Sequence, residues 1–202
     1  MQLFTSKADP NQPSPSGTAQ PSDVRTAPFV PQKIPLHSTK AMVQCALLIA
    51  ISIVLTHLLT ISTPFLRINL GGVPILLAGV LFGPVAGFVV GALADLIGGT
   101  LAGYSINFMI TLGTALTGFC MGLCYHYLPL PKQNFRLLSG VVFGNLIGSV
   151  IVNTLALRIY YGYAWSILAL RIPNNIVLGA AEFFVLWCLC KNKALMKVLQ
   201  KP

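Results

Sequence analysis

Residues 41–62 run for 22 positions without an Asp, Glu, Lys or Arg. An α-helix rises about 1.5 Å per residue, so about 20 apolar residues cross a hydrocarbon core about 30 Å thick. The pattern recurs: residues 73–99, 105–128, 137–161 and 172–190 are almost continuously apolar. Charged residues make up 8% of the chain, against about 25% in soluble domains. An ordinary soluble globular protein is excluded, and an integral membrane protein is predicted. The net charge of +9 does not point to nucleic acid, because the basic residues are scattered outside the apolar runs and form no basic face.

The run 73–99 is interrupted by Gly83 and Pro84. Proline lacks the helix donor and clashes with the preceding turn. The run therefore divides into a short second helix, about 73–82, and a third, about 84–99. With 41–62, 105–128, 137–161 and 172–190, the expected fold is an all-α integral membrane protein of six transmembrane helices, the second one short. Residues 1–40 are different: they hold seven of the 14 prolines and one of the 18 glycines. Such a Pro/Ser-rich stretch cannot bury enough apolar surface to offset the entropy of ordering, and a disordered tail is expected. No apolar segment follows a basic start within the first 30 residues, so it does not read as a secretory signal. The expected organisation is a tail over 1–40, a membrane domain over 41–192 and a basic tail over 193–202.

Six spans place both termini on one side. Lys7, Arg25, Lys33 and Lys40 precede the first span, Lys132 and Arg136 lie between the fourth and fifth, and Lys191, Lys193, Lys197 and Lys201 close the chain. That side carries ten of the 13 basic residues and is read as cytoplasmic. Arg67, Arg158 and Arg171 fall at the opposite face. They either snorkel to the headgroups or bind an anionic ligand, since guanidinium groups grip carboxylates and phosphates in a bidentate way. Tyr104, Tyr160, Tyr161, Tyr163 and Trp165 gather at the same face, as an aromatic belt or as a stacking wall for a flat ring. Asn107, Asn145, Asn153, Asn174 and Asn175 lie in or at the ends of spans. Asn145, Ser149 and Asn153 are four apart and share a stripe, which faces either neighbouring helices or a cavity because lipid offers no partners.

Two acids sit in apolar surroundings. A charge near the bilayer centre costs at least about 2.5–3.5 kcal/mol, so such residues are functional candidates. Asp95 follows Gly83, Gly87 and Gly91 at four-residue steps, and is expected to point into a close helix seam near its outer end. There it accepts donors from a ligand amine or pairs with an arginine. Glu182 is 11 residues from Arg171, about 16 Å along a helix, too far to pair with it. The spacings Cys120-x3-Cys124 and Cys188-x-Cys190 lack nearby histidines and read as small apolar residues, so no metal or other cofactor is expected. There is no phosphate-binding glycine loop, HExxH or nucleophile elbow, so no enzyme is expected and an ATP site must lie elsewhere. Ala46 and Ala50 form an AxxxA motif, a flat groove for a partner helix.

Two stretches carry a resemblance. RINLGGVPILLAG from Arg67, continuing to GALAD ending at Asp95, is similar to the second and third helices of folate-type S components of energy-coupling factor (ECF) vitamin transporters. NTLALRIYYG from Asn153, followed by RIPNN from Arg171, resembles the NTL…YG…R…N pattern of that subfamily. The resemblance spans about residues 40–192. It departs at Ala156, where relatives often carry Trp, and at Asn174, where they often carry Lys. It implies a high-affinity subunit that captures folate or a reduced folate outside. It implies docking on a transmembrane coupling protein through the AxxxA face, two ATPase subunits that drive uptake, and toppling in the membrane to release the vitamin. The residue pattern and the resemblance together give as ligand candidates Arg67, Asp95, Tyr104, Asn107, Asn153, Arg158, Tyr161, Arg171, Asn174 and Asn175. Arginines suit the two carboxylates of folate, tyrosines its rings, and Asp95 or an asparagine the aminopyrimidine edge. The rivals are an S component for pantothenate or riboflavin and a structural membrane protein with no ligand.

Overall fold

The computed structural model describes residues 39–58, 61–62, 67–103, 107–129, 132–162 and 171–192. The elements are α1 (Thr39–Leu58), β1 (Ile61–Ser62), β2 (Arg67–Ile68), α2 (Gly72–Phe82), α3 (Pro84–Leu101), α4 (Phe108–Tyr127), α5 (Gln133–Gly144), a π-helical segment (Asn145–Val152), α6 (Asn153–Tyr161) and α7 (Arg171–Lys191). The segment from α5 through α6 is one continuous rod, so among the described residues the membrane helices number six, with a short second one as the sequence predicts. Five are long and apolar enough to cross a membrane, and Gly72–Phe82 is not. The expected tails lie outside the described residues, except that Thr39 and Lys40 begin α1.

The first span differs at its end. The charge-free run reaches residue 62, but the helix stops at Leu58, and Ile61 and Ser62 pair antiparallel with Ile68 and Arg67. Ile61 is β-branched and Pro64 follows closely, and both disfavour a continuing helix. The fourth span begins at Phe108 rather than 105, because the side chain of Asn107 accepts from the Met109 amide and caps the helix there. The fifth begins at Gln133, four residues earlier than hydropathy indicates, and so takes in Arg136.

The break between α2 and α3 lies where the sequence places it. Gly83 has φ 93°, a backbone conformation that favours glycine, and Pro84 opens α3. Proline at 84 also leaves the Val80 carbonyl without its helical donor. His126 on α4 supplies one, with Nε2 at 3.1 Å, which fixes the Nε2–H tautomer. Every residue of α2 from Val73 to Phe82 is buried. A helix apolar all round belongs inside a bundle, and α2 is the inner helix here.

Antiparallel neighbours are locked by small residues. Gly87 and Gly118 meet backbone to backbone, so a Cβ on either would strike the other's carbonyl. Gly91 lies against Thr114 and Ala115, and Gly122 against Pro84, which continues this α3–α4 register in four-residue steps. On the other side of α4, Gly140, Gly144 and Gly148 pack against Met121, Thr117 and Gly113. Gly79 and Gly87 fold α2 back on α3. The last turns of α1 lie at the start of α2 and the end of α3, through Ser52 to Gly71 and His57 to Gly98. The path therefore alternates, and the start of α1 and the end of α7 share one end of the bundle. Gly118→Ala is expected to lower the melting temperature in detergent, at a cost of about 1–3 kcal/mol. Gly99→Ala, with nothing within 4 Å of a new Cβ, is expected to leave it unchanged.

Candidate functional site

The alternating path puts the end of α3, the start of α4, α6 and the start of α7 together at the end opposite the termini of the bundle. Nine of the ten predicted ligand residues lie on the described backbone there or on the adjoining ladder. Arg67 is in β2, Tyr161 closes α6 and Arg171 opens α7, but their side chains lie outside the described set. Tyr104 lies outside the described residues altogether.

Asp95 is half-buried on α3, and its Oδ2 accepts from the Thr111 hydroxyl at 2.7 Å. That hydroxyl also stands 3.3 Å from the Asn107 carbonyl. Thr114, one turn further along α4, is a second hydroxyl beside the carboxyl. Asp95 thus extends the α3–α4 glycine register by one more step, which puts it in the seam near its outer end. Among the described residues its partners are the hydroxyls of Thr111 and Thr114. Thr111 was not singled out by sequence reasoning, although its place four residues after Asn107 sets both on one face of α4.

The stripe of Asn145, Ser149 and Asn153 faces inward. Asn145 Nδ2 donates to Glu182 Oε2 at 2.7 Å, with both residues buried. Ser149 Oγ donates to Asn175 Oδ1 at 2.8 Å. Asn153 Oδ1 lies against Gly113, and among the described residues it is the buried side-chain oxygen or nitrogen with no hydrogen-bond partner. A buried acceptor left without a donor costs about 1–3 kcal/mol, so this oxygen marks a place where a donor would be stabilising. Asn174 is half-buried beside Asn175, and Arg158 is exposed on α6. Ala156, where the resemblance departs, is fully buried and faces the bundle.

The π-helical turns at Asn145–Val152 are a feature that residue periodicity does not reveal. Such segments are wider than an α-helix and are frequent at functional sites. Here they turn two polar side chains towards α7, while Asn153, just beyond them, meets α4. The result is a polar arc across four helices: Asp95 on α3, Thr111 and Asn107 on α4, Asn153 on α6, and Asn174 and Asn175 on α7. Ala46 and Ala50 stand apart from it, exposed on the outer surface of α1 among exposed Val43, Leu47 and Val54.

Residues 36–194 match the family model described as ECF-type riboflavin transporter, S component. The chain belongs to this family. It is a multi-pass protein of the bacterial cell membrane. It is similar to the folate transporter FolT of Clostridium novyi (strain NT), at 24% identity over 82% of this chain and 96% of that one. Its fold is similar to the crystal structure of FolT bound with folic acid, with a TM-score of 0.65 and 24% identity, over 76% of this chain and 94% of the other. It is also similar to a structure titled for the S component of a bacterial ECF transporter, with a TM-score of 0.60 and 25% identity, over 77% and 95% of the two chains. In this S component, the Ser149–Asn175 bond ties the π segment to α7. A double-mutant cycle of Ser149→Ala and Asn175→Ala is expected to give a coupling of about 0.6 kcal/mol, typical of hydrogen bonds between membrane helices. Strict additivity in thermal unfolding would show that the two side chains do not interact.

Proposed function

We propose that this S component captures folate or a reduced folate at the outer end of the bundle, for uptake by an ATP-driven ECF transporter. The observation that carries the reading is the unpartnered Asn153 acceptor at the same end of the bundle as the Asp95 cluster. An aminopyrimidine presents N–H donors along one edge, and buried acceptors match them. Arg67, Arg158 and Arg171 suit the two carboxylates of the glutamate, and Tyr104 and Tyr161 suit the flat rings. Asn107, Asn174 and Asn175 complete the polar lining. Support from relatives comes from FolT, which is named as a folate transporter, and from a similar fold with folic acid bound.

A second reading has its own observation, since the matching family model is named for riboflavin. Riboflavin is flat and carries a neutral ribityl chain, so it would leave three outer arginines without carboxylates to hold. Equilibrium binding of folic acid and of riboflavin to the purified protein in detergent separates the two. Folic acid is expected to bind, and riboflavin to bind at least about a hundredfold more weakly, because arginine–carboxylate pairs contribute several kcal/mol when desolvated. The reverse order would assign the site to riboflavin. Asp95→Asn and Arg171→Ala are each expected to weaken folic acid binding at least about tenfold, a loss of about 1.4 kcal/mol. An unchanged affinity would remove that residue from the site.

The partners follow from the same reading. A transmembrane coupling protein packs on the Ala46–Ala50 face of α1, and two ATPase subunits hydrolyse ATP, so this chain is not itself an enzyme. The Lys- and Arg-rich end, with residues 1–40 and 193–202, faces the cytoplasm, and the polar arc faces out. Ala46→Trp with Ala50→Trp is expected to abolish co-purification of the coupling protein with the tagged chain. Co-purification at the wild-type level would move the contact off α1.

A further inference from the structure

Of the two acids within the helices, Asp95 belongs to the polar arc and Glu182 does not. Glu182 is 3% exposed, two turns further into the bundle than Asn175 on α7. Its Oε2 is held by Asn145 at 2.7 Å. Its Oε1 occupies the place where a side chain on Gly72 would begin. Gly72 is the first residue of α2. Gly71, just before it, is gripped from the opposite side: the Ser52 hydroxyl donates to its carbonyl at 2.7 Å, and the Thr56 hydroxyl fills its Cβ position. Adjacent glycines thus let the start of α2 sit pressed between α1 and α7.

No side chain caps α2 at Gly71, so its first amides carry the partial positive charge of a helix start. The Glu182 carboxyl stands at that end, which compensates part of the cost of burying it. If filling space were the only requirement, an apolar side chain of similar size would serve at lower cost. What the acid adds is direction: one oxygen is tied to Asn145 and the other rests on Gly72. Arg67 in β2 is only five residues ahead of Gly72, so the place of Gly72 limits where Arg67 sits.

We infer that Glu182 is a positioning residue: with Asn145 it fixes the start of α2 between α1 and α7, and so sets the Arg67 ladder over the polar arc. The inference rests on the reading of that arc as the ligand site. The test uses the full chain in detergent, with three readouts: folic acid affinity, melting temperature, and hydrogen exchange of amides 67–73 without ligand. Glu182→Leu is expected to weaken binding about tenfold and to speed exchange over 67–73 while the melting temperature holds or rises. Glu182→Gln keeps an acceptor for Asn145 and is expected to stay within about threefold of wild type. Gly72→Ala pushes the carboxyl off its resting place against the bond to Asn145, and is expected to weaken binding as well. Adding Glu182→Asp to Gly72→Ala shortens the acid and is expected to recover part of that loss.

Wild-type affinity and exchange in Glu182→Leu would overturn the inference. So would losses that follow the melting temperature and appear equally in Glu182→Gln. If Glu182→Leu does not fold, the Gly72→Ala pair decides by the same criteria. If wild type binds no folic acid, the ligand reading fails by itself. The exchange pattern then decides the clamp alone, and unchanged exchange in the variants overturns it.

Discussion

Contact between backbones, without side chains in between, is what the rest of this bundle depends on. Lipid tails are as apolar as Leu, so no hydrophobic force drives membrane helices together, and association relies on close packing and a few hydrogen bonds. In this chain α4 is the helix against which that packing is made. It meets Gly87, Gly91 and Pro84 on one side and Gly140, Gly144 and Gly148 on the other. Each contact recurs every four residues, so a slip would have to break every contact of its row at once. A register held this firmly also positions whatever comes next along it. On the α3 side the next step is Asp95 with Thr111, and on the α5 side it is Asn153 against Gly113.

Much of this was legible because lipid narrows the options. With every backbone group needing an internal partner, long apolar runs have to be helices, and their lengths and breaks are visible in hydropathy. The Gly83–Pro84 break is the clearest case, since one residue supplies the turn and the next opens a helix. Element ends were less legible, for two different reasons. Residues 59–62 are as apolar as the helix before them, and what ends α1 is β-branching and Pro64, which hydropathy does not weigh. Gln133–Arg136 is polar yet helical, because a helix may emerge from the apolar layer without stopping.

The candidate site was legible to the extent that polar residues in apolar runs are costly and therefore informative. Asp95, Asn153 and Asn175 stand out on that ground alone, and each sits in a polar contact or lacks one in a way that matters. Thr111 and Ser149 were harder to read as parts of the site, because a hydroxyl on a membrane helix usually bonds back to its own carbonyls, as Thr114 and Thr117 do here. Their roles come from the partner helix, which local sequence does not contain. The π segment was hidden for a related reason. Residues four apart stay near one face in both α- and π-helices, so the stripe of Asn145, Ser149 and Asn153 has the same spacing in either. Glu182 had no visible partner because its contacts are on the π segment and α2, more than 35 residues away.

The short second helix connects these strands of the argument. Eleven residues rise about 16 Å, roughly half of the hydrocarbon thickness. Its lower end is tied to α4 through His126, so its start at Gly72 stands partway through the bundle rather than at the outer surface. A full-length helix in that place would fill the centre of the outer half with apolar side chains. With α2 stopping short, the outer half is instead bordered by the ladder and by the polar ends of α3, α4, α6 and α7. The same truncation sets the first turn of a buried helix inside the bundle, with no side chain at Gly71 to cap it. A buried acid at that point answers the second problem, and the polar arc, with its unpartnered Asn153 oxygen, answers to the first. The lone Glu182 and the unpartnered Asn153, which look unrelated in sequence, are then two consequences of one helix being half as long as its neighbours.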